Sequence, residues 1–163
     1  EVDTASQLLD RVQDGSLDVA VLYNPPPRPE LVLELIAEEK LILVTTDPAG
    51  RLRPEEYVYI DWGLPYAASH ETAFPELANA TVSISLGPLA LSYVLAVGGA
   101  GYFRSAIVRP YLESGQLQHV DRAPAFSYSI YAVYSARNDA DLIDRVRNGL
   151  RLCASDEALV QRA

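Results

Sequence analysis

Two histidines, His70 and His119, are the side chains best suited to acid–base chemistry near neutral pH. Neither lies in a nucleophile elbow, an HExxH helix or another pattern that places a base beside a nucleophile. Both are therefore predicted to be surface residues. Lone carboxylates such as Asp10 and Glu113 are typical of solvated helix positions. The sequence predicts no catalytic residue and no metal site, and it does not favour an enzyme.

A turn at residues 85–88, Ser-Leu-Gly-Pro, has the chemistry of a binding site. It follows a short alternating strand at 82–84 and precedes a helix in which Pro88 can occupy a first-turn position, where its missing N–H costs nothing. Free N–H groups at such a helix start favour an anionic or polar ligand. A plain strand–helix–strand unit without a ligand is the open alternative. Gly98 to Gly101 would end this helix and lead into a second parallel strand.

Composition limits the classes of function. The 163 residues are 49% hydrophobic, which is typical of a folded protein of one domain or two small lobes. The net charge of −9 is unfavourable for binding nucleic acid directly. A single cysteine, Cys153, excludes an internal disulfide or a multi-cysteine metal site and is compatible with a reducing cytoplasm. Cys153 is predicted to lie in the core. No cofactor is indicated.

The chain begins with a helix signal. Thr4 followed by Gln7 has the spacing of a capping box, and Gly15 can end the helix. Leu8, Leu9 and Val12 share one face, and residues 17–22 then form a short buried strand. This order corresponds to the second half of a strand–helix–strand unit, so the first strand of that unit is expected to be missing.

Two breaks in the pattern divide the chain. Residues 31–36 and 41–45 are predicted as separate strands joined by a charged turn at 37–40. Asp-Pro-Ala-Gly at 47–50 and Arg-Ala-Pro-Ala at 122–125 then interrupt the pattern. The sequence therefore predicts two α/β lobes: residues 1–47 with 126–163 form lobe I, and residues 48–125 form lobe II. A cleft between such lobes is the expected place for a small ligand.

Shorter patterns fill the lobes. Strands are predicted at 57–61, 117–120 and 126–135, and helices at about 67–73 and 107–113. A final helix, capped by Asn138 or Asp139, would place Leu142, Ile143, Val146, Leu150 and Cys153 on one face.

Several of these segments together resemble the effector-binding domain of LysR-type transcriptional regulators. They are LLDRVQDGSLDVAVLY, LELIAEEKLILVTTDP, YIDWG with a later FPEL, LALSYVLAVGGAGYFRSAIVRPYLESGQLQHV and IYAVYS, in that family's order. The resemblance implies two Rossmann-like lobes of the type II periplasmic-binding-protein kind, a small-molecule effector in the cleft, a cytoplasmic location, and DNA binding through an N-terminal winged helix-turn-helix that precedes such domains. It also implies that the strand and helix with which the family's domain begins are missing here. A homodimer or tetramer is implied as well, which we place at the helices of residues 5–13 and 89–97.

By position, the family's effector contacts correspond to Thr45 and Thr46 at the first crossing and to Ser85, Leu86, Gly87 and Pro88 at the turn. Asp61 and Trp62 end a neighbouring strand, and Phe126 lies at the second crossing, so these residues are further candidates. Ordinary strand-end hydrogen bonding is the alternative for the threonines, and a half-buried core position is the alternative for the indole. The alternative for the whole chain is an extracytoplasmic solute-binding protein, which would be monomeric.

Overall fold

A computed structural model of the chain describes residues 3–77 and 80–160, with side chains to residue 154. Five helices and seven strands lie in this described part. In chain order they are α1 (Ala5–Asp14), β1 (Val19–Tyr23), β2 (Leu31–Thr45), β3 (Val58–Ile60), α2 (Leu64–Ala73), β4 (Val82–Ile84), α3 (Gly87–Val97), β5 (Ala100–Arg104), α4 (Ser105–Glu113), β6 (Gln118–His119), β7 (Phe126–Ser135) and α5 (Ala140–Val160). Short 3-10 turns occupy Pro54–Glu56 and Pro75–Leu77.

The chain divides into two compact units. Unit 1 comprises residues 1–39 and 128–163, and unit 2 comprises residues 40–127. The divisions fall inside β2 and inside β7, whereas the sequence places them at the proline-containing breaks after residues 47 and 125. The residues of the first break, Asp47 to Gly50, therefore belong to unit 2.

The two ends of α1, the first helix of unit 1, lie where the capping signals in the sequence predict them. Thr4 caps α1, its Oγ1 accepting from the Gln7 N–H at 3.4 Å, and Gly15 ends the helix with φ of 81°. The capping box is incomplete, because Gln7 Oε1 accepts from the Thr4 hydroxyl while the Thr4 N–H donates to Asp3 Oδ1. The Thr4 side chain therefore caps the start of α1, but the reciprocal bond of a capping box, from the Thr4 N–H to the Gln7 side chain, is not made.

The apolar face of α1 packs against the sheet of unit 1. Leu9 and Val12 are buried against Ala20 and Leu22 of β1, with Val133 of β7 completing the cluster. Within this unit the strand order is β1-β7-β2, and β1 and β7 pair antiparallel, with Val21 opposite Ala132. Leu8 on the same face is only half-buried, and the contact of α1 with a second subunit stays a prediction.

Residues 31–45 form one continuous strand, so the predicted turn at 37–40 is wrong. β2 is paired with β7 within unit 1 and with β5 and β6 within unit 2. Glu39 is buried, which a solvated turn would not produce. Cross-strand pairing along this length overrides the low strand propensity of the charged Glu-Glu-Lys segment.

Unit 2 is built on a parallel pair. β3 and β4 run parallel, with Val58 opposite Val82 and Ile60 opposite Ile84, and a single parallel bridge joins Tyr57 to Ala100 at the start of β5. The predicted strand after the glycine turn exists as β5, but its ladder is antiparallel, with β2, and it does not pair with β4, so the prediction of a second parallel strand is wrong. Val58, Ile60, Leu91, Val94 and Phe103 lie in the core between the strands and α3.

The burial of Cys153 and of His70 differs from the prediction. Cys153, expected in the core, is exposed on α5, whereas Ile143 on the same helix is buried. His70, expected at the surface, is 2% exposed, whereas His119 is exposed.

Asp139 caps α5 as predicted, since its Oδ1 accepts from the Leu142 N–H at 3.0 Å.

No helix in the described ranges combines the length and the apolar character needed to cross a membrane.

Candidate functional site

The turn at residues 85–88 is accessible at the end of β4. Ser85 and Pro88 are exposed, and Leu86, the residue before the first turn of α3, is 63% exposed. No side chain caps this helix start. Because the first N–H groups of an α-helix have no partner within the helix, this turn offers donors and the positive end of a helix dipole.

The end of β3 lies beside this turn. The Asp61 N–H donates to the carbonyl of Ile84 at 3.2 Å, which joins the ends of the two parallel strands. The Asp61 carboxylate, which is exposed, accepts from the Gly63 N–H at 2.9 Å. Asp61 and Ser85 therefore extend from neighbouring strand ends, as the sequence predicts for residues of one site.

Trp62 packs on the start of α3. Its indole Nε1 donates to the carbonyl of Tyr102 at 2.9 Å, and a Cβ on Gly87 would lie only 2.5 Å from the indole Cη2. The indole is half-buried and contacts the core cluster of unit 2. It is thus both a core contact and, with Gly87 and Pro88, part of the lining of a cavity of about 380 Å³.

Thr45 and Thr46 lie elsewhere in unit 2. Thr45 is 2% exposed, and its Oγ1 accepts from the Asp47 N–H at 3.1 Å. The Thr46 hydroxyl donates to the carbonyl of Gly99 at 3.3 Å and accepts from the Gly99 N–H at 2.9 Å. Both hydroxyls therefore make the strand-end hydrogen bonds that were the alternative to ligand contact.

The structure does not bring the threonines together with residues 85–88. β2 runs antiparallel to β5, so Thr45 lies opposite Ala100, where α3 has just ended. Ser85 lies before the start of α3, and 11 helical residues at 1.5 Å each separate the two ends by about 16 Å. A small ligand that contacts Ser85 within unit 2 does not reach Thr46.

Phe126 belongs to a buried aromatic cluster. Its ring centroid lies 4.8 Å from that of Tyr102 and 5.4 Å from that of Tyr66, and Tyr66 also contacts His70. The His70 Nε2 lies 2.7 Å from the hydroxyl of Tyr57. The role of Phe126 within unit 2 is therefore core packing.

Burial sets the protonation of this cluster. Desolvation lowers the pKa of His70, while the charge of Glu76 acts weakly in the opposite direction. Desolvation also raises the pKa of Tyr57 well above its ordinary value of 10.0. A neutral imidazole and a neutral phenol share the hydrogen bond at neutral pH, an arrangement that stabilises the unit.

An ion-pair cluster around Asp47 has no counterpart in the sequence prediction. The Asp47 carboxylate accepts from the Ala49 N–H at 2.7 Å, from Arg51 at 3.1 Å and from Arg53 at 3.2 Å. The Ala49 hydrogen bond, followed by the Arg51 guanidinium, holds the pKa of Asp47 below its usual value against the effect of burial. One signal in the sequence could have identified this ion-pair cluster. It is the Asp-Pro-Ala-Gly break, followed by arginines four and six residues after the aspartate.

Two cavities in unit 2 therefore border the predicted residues. Thr46 and Asp47 line one of about 480 Å³ at the C-terminal end of α3, together with Gly98 and Gly99. Trp62, Gly87 and Pro88 line the other, at the N-terminal end. No group of histidine, cysteine and carboxylate side chains within the described ranges has a metal-binding arrangement.

Comparison with known proteins gives one family. The family model described as LysR substrate binding domain matches residues 1–151. The apo regulatory domain of HypT from Salmonella typhimurium superimposes with a TM-score of 0.75 at 16% identity, covering 94% of this chain and 81% of that one. No curated protein matches the sequence.

Two longer structures have the same fold. Full-length HypT from Salmonella typhimurium, a hypochlorite-specific LysR-type transcriptional regulator, superimposes with a TM-score of 0.75 at 17% identity, covering 96% of this chain and 58% of that one. Vibrio fischeri DarR in complex with DNA has a TM-score of 0.73 at 15% identity, with 93% and 56% covered. The predicted α/β fold of the periplasmic-binding-protein kind is confirmed.

Proposed function

Because the chain belongs to the LysR substrate-binding domain family, we propose that it is the part of a transcriptional regulator in which a small polar or anionic metabolite controls binding to DNA. The match over residues 1–151 is the observation that carries this proposal. It favours a regulator over the alternative of a solute-binding protein for uptake. The chain spans 58% of full-length HypT, so DNA contact is assigned to a winged helix-turn-helix in the remainder of such a regulator.

The effector contacts are proposed at the N-terminal end of α3. Ser85 is exposed there, Leu86 and Gly87 contribute backbone groups, and Asp61 and Trp62 border the turn. Among the other predicted contacts, Pro88 shapes the turn. Thr45, Thr46 and Phe126 have partners inside unit 2 that account for their positions. Exposed donors at an uncapped helix start support an anionic or polar ligand.

The effector is proposed to control DNA binding because it binds two conformations of the domain with different affinities. A ligand that binds one conformation of the domain more tightly than another shifts the population towards it, by no more than that difference in binding free energy. The chain itself is proposed to be non-enzymatic, since His70 is buried in an aromatic cluster and bonded to Tyr57, out of reach of a substrate. Its proposed location is the cytoplasm, where the DNA is.

Self-association is proposed through α3, whose exposed face is apolar, and through α1, where Leu8 is half-buried. Leu89 is 58% exposed and Val97 is 68% exposed, and with the half-buried Tyr93 they follow one face of the helix. Burying such a face against its copy across a two-fold axis is the usual way to remove exposed apolar area. The exposed face of α1 carries polar residues such as Gln7, Asp10 and Gln13.

A thermal-shift screen of metabolite anions tests the effector site. A ligand of the folded domain raises its melting temperature by mass action. We expect the shift to be lost in Ser85→Ala and kept in Ser83→Ala, which removes an equally exposed hydroxyl two residues earlier. The shift should also persist in Thr46→Val, although the starting melting temperature falls because the bonds to Gly99 are lost. A shift unaffected by Ser85→Ala would remove the proposed site.

A further inference from the structure

The cavity at the N-terminal end of α3 extends between two helices. It has a volume of about 380 Å³, within the usual range for small-molecule sites. Its lining residues come from the end of β3, from α3, from the end of β5 and from α4, and all belong to unit 2: Trp62, Gly87, Pro88, Leu91, Ser92, Leu95, Phe103, Arg104, Ile107 and Tyr111. Ser85, Thr45 and Thr46 do not line it.

The cavity lining is mostly apolar. Leu91 and Leu95 face it from α3, Ile107 from α4, and Phe103 from β5, with the Trp62 indole at one end. Leu95 and Trp62 are half-buried, so they keep accessible area that a ligand would cover. Removing such area from water favours binding of a non-polar group of similar size.

Among the side chains that the structure describes, one charged group, that of Arg104, lines the cavity, and no carboxylate does. This differs from the chain as a whole, which carries 22 acidic and 13 basic side chains. A guanidinium has five N–H donors in a planar fork, enough to bind a carboxylate in addition to the contacts that Arg104 already makes. The lining therefore combines an apolar surface with a single positive group.

The ends of two helices add to this positive character. α3 starts at Gly87, and α4 starts directly after Arg104, and neither start has a side-chain cap. Each helix start carries a partial positive charge from the helix dipole. Both starts border the cavity through Gly87, Pro88 and Arg104, so the electrostatic preference is for an anion at the Arg104 end.

We infer that this cavity binds a small carboxylic acid with a non-polar ring. The ring lies between Leu91, Leu95 and Ile107 against the Trp62 indole, and the carboxylate pairs with Arg104. The inference rests on the proposed function for its regulatory meaning, because such an acid would be the effector or a second effector. As a binding site it depends on this cavity alone, independently of Ser85.

Trp62 provides a direct readout, since it is the one tryptophan in the sequence. We would titrate the chain with cyclohexylacetate, which does not absorb where the indole emits, and follow the emission and the melting temperature. Cyclohexylacetamide has the same ring without the charge, and acetate has the charge without the ring. We expect saturable binding of cyclohexylacetate, with both control compounds binding at least tenfold more weakly.

Two pairs of variants locate the site. Arg104→Gln should weaken binding of cyclohexylacetate roughly ten- to a hundredfold by removing the charged hydrogen bonds, whereas Arg109→Gln, which lies on α4 and outside the lining, should not. Ser92→Phe should fill the cavity and abolish binding. Ala96→Phe, one turn further along α3 and outside the lining, should leave it unchanged.

Three outcomes would overturn the inference: no change in Trp62 emission with cyclohexylacetate at millimolar concentration, equal binding of the acid and its amide, or equal losses in Arg104→Gln and Arg109→Gln. These outcomes are separable from the proposed function. If an effector found by thermal shift depends on Ser85 while cyclohexylacetate fails, the inference is wrong and the proposed function stands. If cyclohexylacetate binds as expected and no ligand depends on Ser85, the proposed effector site is wrong and the cavity stands.

Discussion

The indole of Trp62 lies so close to the backbone of Gly87 that a methyl group at residue 87 would be 2.5 Å from the indole Cη2. The indole is also held by its hydrogen bond to the carbonyl of Tyr102. Gly87 is therefore required for a close approach between the end of β3 and the start of α3. This contact fixes one wall of the cavity and the turn that carries Ser85.

Gly87→Ala should displace the indole. Because the ring is held by a hydrogen bond and by the core, we expect a loss of about 1–3 kcal/mol in the free energy of unfolding of unit 2 and a red shift of the tryptophan emission. Urea unfolding followed at Trp62 measures both. Gly149→Ala is the matched control, since a Cβ there meets nothing within 4 Å, and it should stabilise α5 by about 0.5–1 kcal/mol. Unchanged emission in Gly87→Ala would show that the contact is not tight.

The stability of unit 2 should fall as the pH is lowered below about 6.5. Burial lowers the pKa of His70 in the folded chain, so the unfolded chain binds a proton first, at the ordinary value of 6.5. The stabilisation is fully present above that pH, and it is lost at up to about 1.36 kcal/mol per pH unit as the pH falls towards the folded pKa. Urea unfolding between pH 5.5 and 8 measures the slope.

His70→Gln supplies the control for this pH dependence. The variant should be less stable at pH 8, because the bond to Tyr57 and the ring contacts are lost, but its slope over the same pH range should be nearly flat. His119→Gln, which changes an exposed side chain, should keep the wild-type slope. A His70→Gln slope equal to that of the wild type would assign the pH dependence to other groups.

An exposed apolar face on α3 predicts concentration-dependent association. Leu89→Glu should give a monomer in sedimentation experiments while the circular dichroism spectrum and the melting temperature change little, since Leu89 is 58% exposed. Leu91→Glu should instead unfold unit 2, because Leu91 lies in its core. Dimers that persist in a folded Leu89→Glu variant would exclude this face of α3.

Cys153 should react with a thiol reagent in the native state. It is exposed on α5, and it is the one cysteine in the sequence, so the stoichiometry should be one thiol per chain without denaturant. Cys153→Ser should change the free energy of unfolding by less than about 0.5 kcal/mol. Modification that requires urea would mean that the thiol is covered.

Local signals explain which parts of the fold are predictable from the sequence. Thr4 and Gly15 set the ends of α1 through interactions within a few residues, so the prediction and the structure agree. The propensities of Glu38 and Glu39 predict a turn, but the pairing of β2 with distant strands decides their conformation. The burial of His70 depends on rings from Tyr57 to Phe126, none of which is adjacent in sequence.

The candidate site shows the same limit. Ser85 to Pro88 could be placed at a strand-to-helix turn from composition alone, because proline and glycine mark that turn. Thr46 could not be placed relative to Ser85, since their separation depends on the antiparallel pairing of β2 with β5. Arg104 is absent from the predicted site because it lies at the end of β5, and only the folded chain brings it to the same cavity as Trp62 and the start of α3.

The N-terminal end of α3 is the proposed effector site of this LysR substrate-binding domain. Calorimetric titration of the chain with the anion that gives the largest thermal shift tests it most directly. We predict one saturable site per chain, weakened about tenfold, or 1.4 kcal/mol, by Ser85→Ala and unchanged by Ser83→Ala. Equal affinities for the wild type and Ser85→Ala would contradict the claim.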